Sequence, residues 1–150
     1  MSILNIIKSS ALFYELYDEE VDSLIADCQV WSLEDGQYVF KEGDIGDQIF
    51  IILTGACKVM KGNTTLINLH KGDIFGEMVL MDQKNRTADI MASTYTDILV
   101  INYQNIFNLY LKNTKVFAIL MLNLSRLLAK RLKDTSDQIK GLKDLEKIAS

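Results

Sequence analysis

The sequence predicts a mainly-β domain with helices at both ends, and three observations carry that expectation. Between Val30 and Asn102, short runs rich in β-branched and aromatic residues recur, each bounded by Gly, Asn or Asp. Six of the eight glycines, at 43, 46, 55, 62, 72 and 76, fall at or beside the gaps between these runs. From Tyr103 onward the apolar residues switch to helical spacing. Strands this closely spaced, with no helical stretch between them, indicate a compact β sandwich, jelly roll or barrel rather than alternating βαβ units.

The elements follow in order. Residues 3–9 form a first short helix, and 19–28 a second, with Val21, Leu24 and Ile25 at helical spacing and Asp18 placed to cap it. Strands are expected at 38–40, 48–53, 57–61, 64–69, 74–75, 88–92 and 97–102. Gly62 and Asn63 both tolerate positive φ, so Lys61-Gly62-Asn63-Thr64 reads as a tight hairpin turn. The chain has no proline, so Gly and Asn must make the turns. A short helix over 103–111 places Ile106, Phe107 and Tyr110 on one side, and a second runs from about Lys115 to at least Leu142. Its first half is apolar nearly all round and should pack on the β layer. Its second half keeps a narrower stripe at Leu128, Leu132, Thr135, Ile139 and Leu142, a seam of two heptads that needs a partner, either this domain's own β-roll or the same helix of a second chain.

Composition excludes several classes. With 150 residues, 49% hydrophobic and 24% charged, the chain is of single-domain size and ordinary globular make-up. We divide it into N-terminal helices (1–29), a β region (30–102) and C-terminal helices (103–150). A net charge of −4 argues against a large nucleic-acid footprint, and the mildly basic tail reads as a solvated helix face. Cys28 and Cys57 have no metal or redox spacing, and the single His70 cannot complete a metal site with them. The longest mostly apolar run, 116–124, is far short of the ~20 residues that span a bilayer, and the N-terminus has no basic leader, so a cytoplasmic protein is expected. No nucleophile with a nearby base and no carboxylate pair suggests an enzyme.

The chemistry concentrates in residues 75–88, from Phe75-Gly76-Glu77-Met78-Val79 to Arg86-Thr87-Ala88. A turn opening at Gly76 lets the backbone come close to a small anion and present unpaired N–H groups to it. Arg86 adds a permanently charged, two-pronged donor suited to phosphate oxygens. Glu77 cannot bind an anion and is suited instead to accept from a sugar hydroxyl.

With these blocks side by side, the chain resembles the cyclic nucleotide-binding domain family. Phe40-Lys41-Glu42-Gly43-Asp44, then Gly46-Asp47-Gln48-Ile49-Phe50-Ile51-Ile52 and Gly55, look like the family's first strands and structural glycines. Gly72-Asp73-Ile74-Phe75-Gly76-Glu77 leads into a stretch like the family's phosphate-binding cassette, which Arg86-Thr87-Ala88 closes at the family's usual spacing. The resemblance implies a jelly-roll-like β-roll, a double-stranded β-helix, with short helices before it and a long helix after it. It gives Arg86 the cyclic phosphate, Glu77 the ribose 2′-hydroxyl, and Gly76 with the following amides of Glu77, Met78 and Val79 the phosphate turn. Thr87 can pair with a phosphate oxygen or a guanine amino group. Val79 stands where the family usually has a small residue, and Asn85 replaces a frequent proline.

The last helix is similar to that of bacterial cAMP receptor-type regulators, in which a Thr-Ser pair meets the purine across a dimer. Thr135 and Ser136 occupy that place. After Gly141 only Leu142 to Ser150 remain, so the helix-turn-helix domain of that branch, and direct nucleic-acid binding with it, are not expected. The resemblance therefore implies a stand-alone sensor that binds cAMP, or alternatively cGMP, and couples the ligand to packing of its long helix. Homodimerisation through that helix and signalling to a downstream protein of unknown identity complete the expectation. The alternative is a β-roll without ligand that acts as an interaction or dimerisation module.

Overall fold

The structure, a computed structural model, describes residues 2–149. Three helical segments open the chain: α1 (Ile3–Lys8), a 3-10 turn (Ala11–Phe13) and α2 (Asp18–Ile25). Eight strands follow: β1 (Gln29–Leu33), β2 (Tyr38–Phe40), β3 (Gln48–Thr54), β4 (Ala56–Lys61), β5 (Thr64–His70), β6 (Ile74–Phe75), β7 (Asp89–Ala92) and β8 (Thr96–Asn102). They form two antiparallel four-stranded sheets, ordered β1-β8-β3-β6 and β2-β7-β4-β5. Helices α3 (Tyr103–Lys112) and α4 (Thr114–Ala149) close the chain. This is the expected β-roll flanked by helices.

The continuous apolar run of β3 has a direct cause, because its sheet is covered on both faces. Phe50 and Ile52 point between the sheets, where they meet Phe75, Ile90, Ile98 and Val100. Ile49, Ile51 and Leu53 point the other way, into a second core with Ile6, Leu12, Phe13, Leu99, Ile101 and Ile106. Burying one such side chain contributes about 1.5–3 kcal/mol, so two cores sharing one strand fix its register firmly. Strand β5 is exposed along most of its length, and it carries Thr64, Thr65, Asn68 and His70 beside the half-exposed Leu66 and Ile67.

Local differences from the sequence reading have simple reasons. Asp18 is the first residue of α2 rather than its cap; Tyr17 holds that position, and the Glu20 carboxylate accepts from its N–H at 2.9 Å. Strand β1 lay outside the strands expected from the sequence, because most of Gln29–Leu33 is solvated on the sheet edge and offers little periodicity. In the β4–β5 hairpin, Gly62 takes positive φ at 58° while Asn63 does not. The first half of α4 is not buried all round: Val116, Leu120 and Leu124 enter the helix-side core while Leu122 stays half exposed.

Two asparagines fix the start and anchorage of α4. Asn113 ends α3 and caps α4, its Oδ1 accepting from Val116 N–H at 3.2 Å. The buried Asn123 donates through Nδ2 to Leu12 O at 2.9 Å and Tyr14 O at 2.7 Å, tying α4 to the N-terminal 3-10 turn. Because its amide is satisfied by two carbonyls, this polar residue specifies the docking of the helix at little desolvation cost. Beyond that anchorage α4 runs on over 36 residues in all, about 54 Å, and residues 132–149 are exposed throughout.

Candidate functional site

The site is built where two loops are strapped together. Arg86 N–H donates to Asp44 O at 2.8 Å, Gly43 N–H to Arg86 O at 2.8 Å, and Gly46 N–H to Lys84 O at 3.1 Å. A single bridge between Ile45 and Asn85 adds to the strap, so Asn85 is held by backbone pairing where a proline would have stiffened the loop. These bonds aim the Arg86 side chain inward, and it is 7% exposed. Its Nη2 donates to Gln48 O at 2.9 Å, its Nη1 reaches Gly76 O at 3.5 Å, and its guanidinium lies 4.3 Å from the Phe40 ring centroid. Gly46 leaves room for this placement: a Cβ on it would stand 2.6 Å from Arg86 Nη2 and displace the guanidinium.

Among the described residues no carboxylate lies within 4.0 Å of the Arg86 guanidinium to form an ion pair. Burial lowers its pKa from the ordinary value, while the more distant Asp47, Asp44 and Glu77 oppose that shift. Arginine remains charged under such conditions, so a buried cation faces this cavity without a close counter-charge.

Gly76 sits beside it in the left-handed region (φ 77°) and opens a 3-10 turn over Glu77–Met81. A side chain at position 76 would meet Arg86 Nη1 at 3.0 Å and Gln48 O at 3.0 Å, so both the turn and the close approach demand glycine. Glu77 follows, 8% exposed, and its carboxylate pairs with Arg131 from α4. The Arg131 guanidinium also donates to Ile74 O, bridging α4 to β6 and to the turn. With Glu77 and Arg131 neutralising one another, Arg86 leaves the cavity with one net positive charge, matched to a monoanionic phosphate diester.

Gly76, Glu77, Met78, Arg86, Thr87 and Arg131 all line a cavity of about 110 Å³, with apolar walls from Phe40, Val59, Leu69 and Ile90. Val79 does not line it. Its side chain is 1% exposed and enters the interior, so it does not crowd the phosphate turn. Thr135 lines a neighbouring cleft of about 260 Å³ that shares Ile67, Leu69 and Arg131 with the first, and its hydroxyl donates back to Arg131 O at 2.9 Å. Ser136 is exposed on α4 and lines neither cavity. Sequence reasoning gave no role to Arg131. The signal was there, since Arg131 lies four residues before Thr135 and therefore on the same helix face.

Comparison with known proteins places this architecture. The sequence model of the cyclic nucleotide-binding domain matches residues 30–113, and the chain belongs to that family. It is 30% identical to the cyclic AMP receptor protein of Thermus thermophilus over 132 residues, 85% of this chain and 59% of that protein. It is 34% identical over 89 residues to a cGMP-dependent protein kinase of Plasmodium berghei, 59% of this chain and 10% of the kinase. The chain thus spans only part of these relatives. Among solved structures, a cyclic nucleotide-binding domain from Methylobacillus flagellatus superposes with a TM-score of 0.81 at 30% identity, covering 91% of this chain and 80% of that one. No helix among the described residues is long and apolar enough to cross a membrane.

Proposed function

We propose that this chain is a regulatory sensor domain whose ligand is a cyclic nucleotide, cAMP in preference to cGMP, and that the ligand acts through α4. The observation that carries the reading is the buried Arg86 guanidinium, held by Gln48 O and stacked on Phe40, with no carboxylate among the described residues near enough to pair with it. A cyclic phosphate seated against Gly76 supplies that counter-charge, and the ribose 2′-hydroxyl donates to Glu77. The purine extends into the cleft under Thr135, where Thr135 and Ser136, from this chain or a partner copy, set base choice. Thr87 lines the cavity and keeps cGMP as the alternative ligand.

Coupling to α4 follows from size and from Arg131. Sites that bury a small organic ligand enclose about 300–1,000 Å³, and the cassette cavity encloses about 110 Å³. Arg131 lines both this cavity and the Thr135 cleft and is carried by α4, so a ligand that spans the two meets a side chain of that helix. Binding then shifts the packing of α4 by as much as the ligand's affinity differs between its arrangements.

The second half of α4 presents Leu132, Ile139, Leu142 and Leu145 to solvent, an apolar stripe that suits pairing with the same helix of a second copy. On this reading the protein is a cytoplasmic homodimer without catalytic activity, without direct nucleic-acid contact, and signals to a further protein. The competing reading, an interaction module without ligand, rests in part on Val79 crowding the phosphate turn, and the Val79 side chain lies in the interior. Hydrogen exchange of the amides in residues 132–149, with and without saturating cAMP, tests the coupling. A changed protection pattern is expected there, and identical exchange in both states would remove α4 from the mechanism.

A further inference from the structure

A second cavity lies on the other side of Arg131. It encloses about 580 Å³ between the N-terminal helical segment, the β5–β6 turn and α4. Its charge is one-sided. Lys71, Arg126 and Lys130 line it with no carboxylate within 4.0 Å among the described residues, whereas Lys8 is paired with Asp18 and Arg131 with Glu77. The lining acid is Asp73, whose Oδ2 accepts from His70 N–H at 2.8 Å.

Two features separate this cleft from a set of surface lysines. Arg126 is oriented from beneath: its Nη1 donates to Oδ1 of the buried Asn123 at 3.2 Å, and Asn123 is itself locked by Leu12 O and Tyr14 O. Ser10, also in the lining and 2% exposed, has an Oγ with no hydrogen-bond partner among the described residues. A buried hydroxyl left unsatisfied costs stability, and a bound molecule that satisfies it offsets that cost.

We propose that this cleft is a second ligand site, distinct from the cassette, for a small molecule bearing a phosphate or diphosphate group. Arg126 supplies a forked donor, Lys71 and Lys130 supply point charges, and Ser10 Oγ, sealed in the free protein, becomes a further donor when the ligand parts the lining over it. Three unpaired cations against one acid favour a ligand with at least two negative charges, and the volume lies within the range of sites for small organic ligands.

The probes are inorganic pyrophosphate and inorganic phosphate, titrated calorimetrically at constant ionic strength into the full chain and into its Arg86→Ala variant. Saturable binding of one pyrophosphate per chain is expected in both, tighter than phosphate, so the outcome does not depend on the cassette reading. Lys71→Gln and Arg126→Gln, at residues that line this cleft and neither the cassette cavity nor the Thr135 cleft, should each weaken it at least tenfold while leaving cAMP affinity within twofold, which also reports that the variants are folded. Ser10→Ala should weaken it at least threefold and raise the melting temperature of the free protein, because it removes the unsatisfied hydroxyl. Binding that does not saturate, or that vanishes in Arg86→Ala, overturns the proposal. So does an unchanged affinity in Ser10→Ala, which reduces the cleft to a charged surface.

Discussion

Replacing Arg86 with alanine should separate binding from folding, because the arginine's structural contributions nearly cancel while its ligand contribution does not. In the free protein the substitution deletes a hydrogen bond at 2.9 Å, a weak one at 3.5 Å and the stacking on Phe40. A charged hydrogen bond contributes about 1.5–3 kcal/mol and an arginine over a ring about 0.5–2 kcal/mol. Against these stands the cost of holding an ion in a low-dielectric interior without a close counter-charge, several kcal/mol. The net change in stability should stay within about 2 kcal/mol. With cAMP bound, the same substitution strands a desolvated phosphate, a loss of about 2–5 kcal/mol, or roughly 30- to 5,000-fold in affinity. Calorimetric titration gives the affinity and urea unfolding the stability. Arg86→Lys should fall between, since lysine keeps the charge but not the fork. A folded Arg86→Ala protein that binds cAMP within threefold of the parent would refute the assignment of the phosphate to this residue.

Three further outcomes are expected. Gly46→Ala places a methyl group 2.6 Å from Arg86 Nη2 without demanding an unusual backbone angle, so it should displace the guanidinium and weaken cAMP at least tenfold, read by calorimetry, with only a few degrees lost in a thermal melt. On the proposed pairing of α4 with a second copy, the double variant Leu132→Lys, Leu142→Lys puts like charges on the exposed stripe and should lower the mass in sedimentation velocity from two chains to one; an equal mass for parent and variant would contradict pairing through this stripe. Burial pushes the Cys57 thiol up to about 11 from an ordinary value of 9.0, so the folded state holds its proton more tightly than the unfolded chain. The associated stability is fully present below pH 9 and is lost as pH rises towards 11; Cys57→Ala should flatten that decline in urea titrations at pH 8, 9, 10 and 11.

The β-roll was legible because its strands carry their own signal. The two-sided burial of β3 writes Ile49 to Leu53 as an unbroken apolar run, and Gly46, Gly55, Gly62 and Gly76 mark its bends. Strand β1 was not, since an edge strand with solvated positions leaves no period to detect. The cassette's order was readable, yet the sequence says nothing of how deeply Arg86 lies, because that depends on Gly46 making room from forty positions earlier. Val79 turned inward because a 3-10 turn after Gly76 sets a different phase from an open loop. Arg131 went unassigned for a related reason: its role exists only once Asn123 has docked α4 against the N-terminal turn and brought residue 131 over Glu77. Long-range placement of a charged side chain has no local signature, whereas a strand or a tight turn does.

On the proposed function, Arg86 and the turn at Gly76 receive a cyclic phosphate. Calorimetric titration of the purified full chain with cAMP and cGMP tests it most directly. Saturable binding of one nucleotide per chain is expected, with cAMP the tighter of the two. Absence of heat or of saturation by either nucleotide up to millimolar concentration would contradict it.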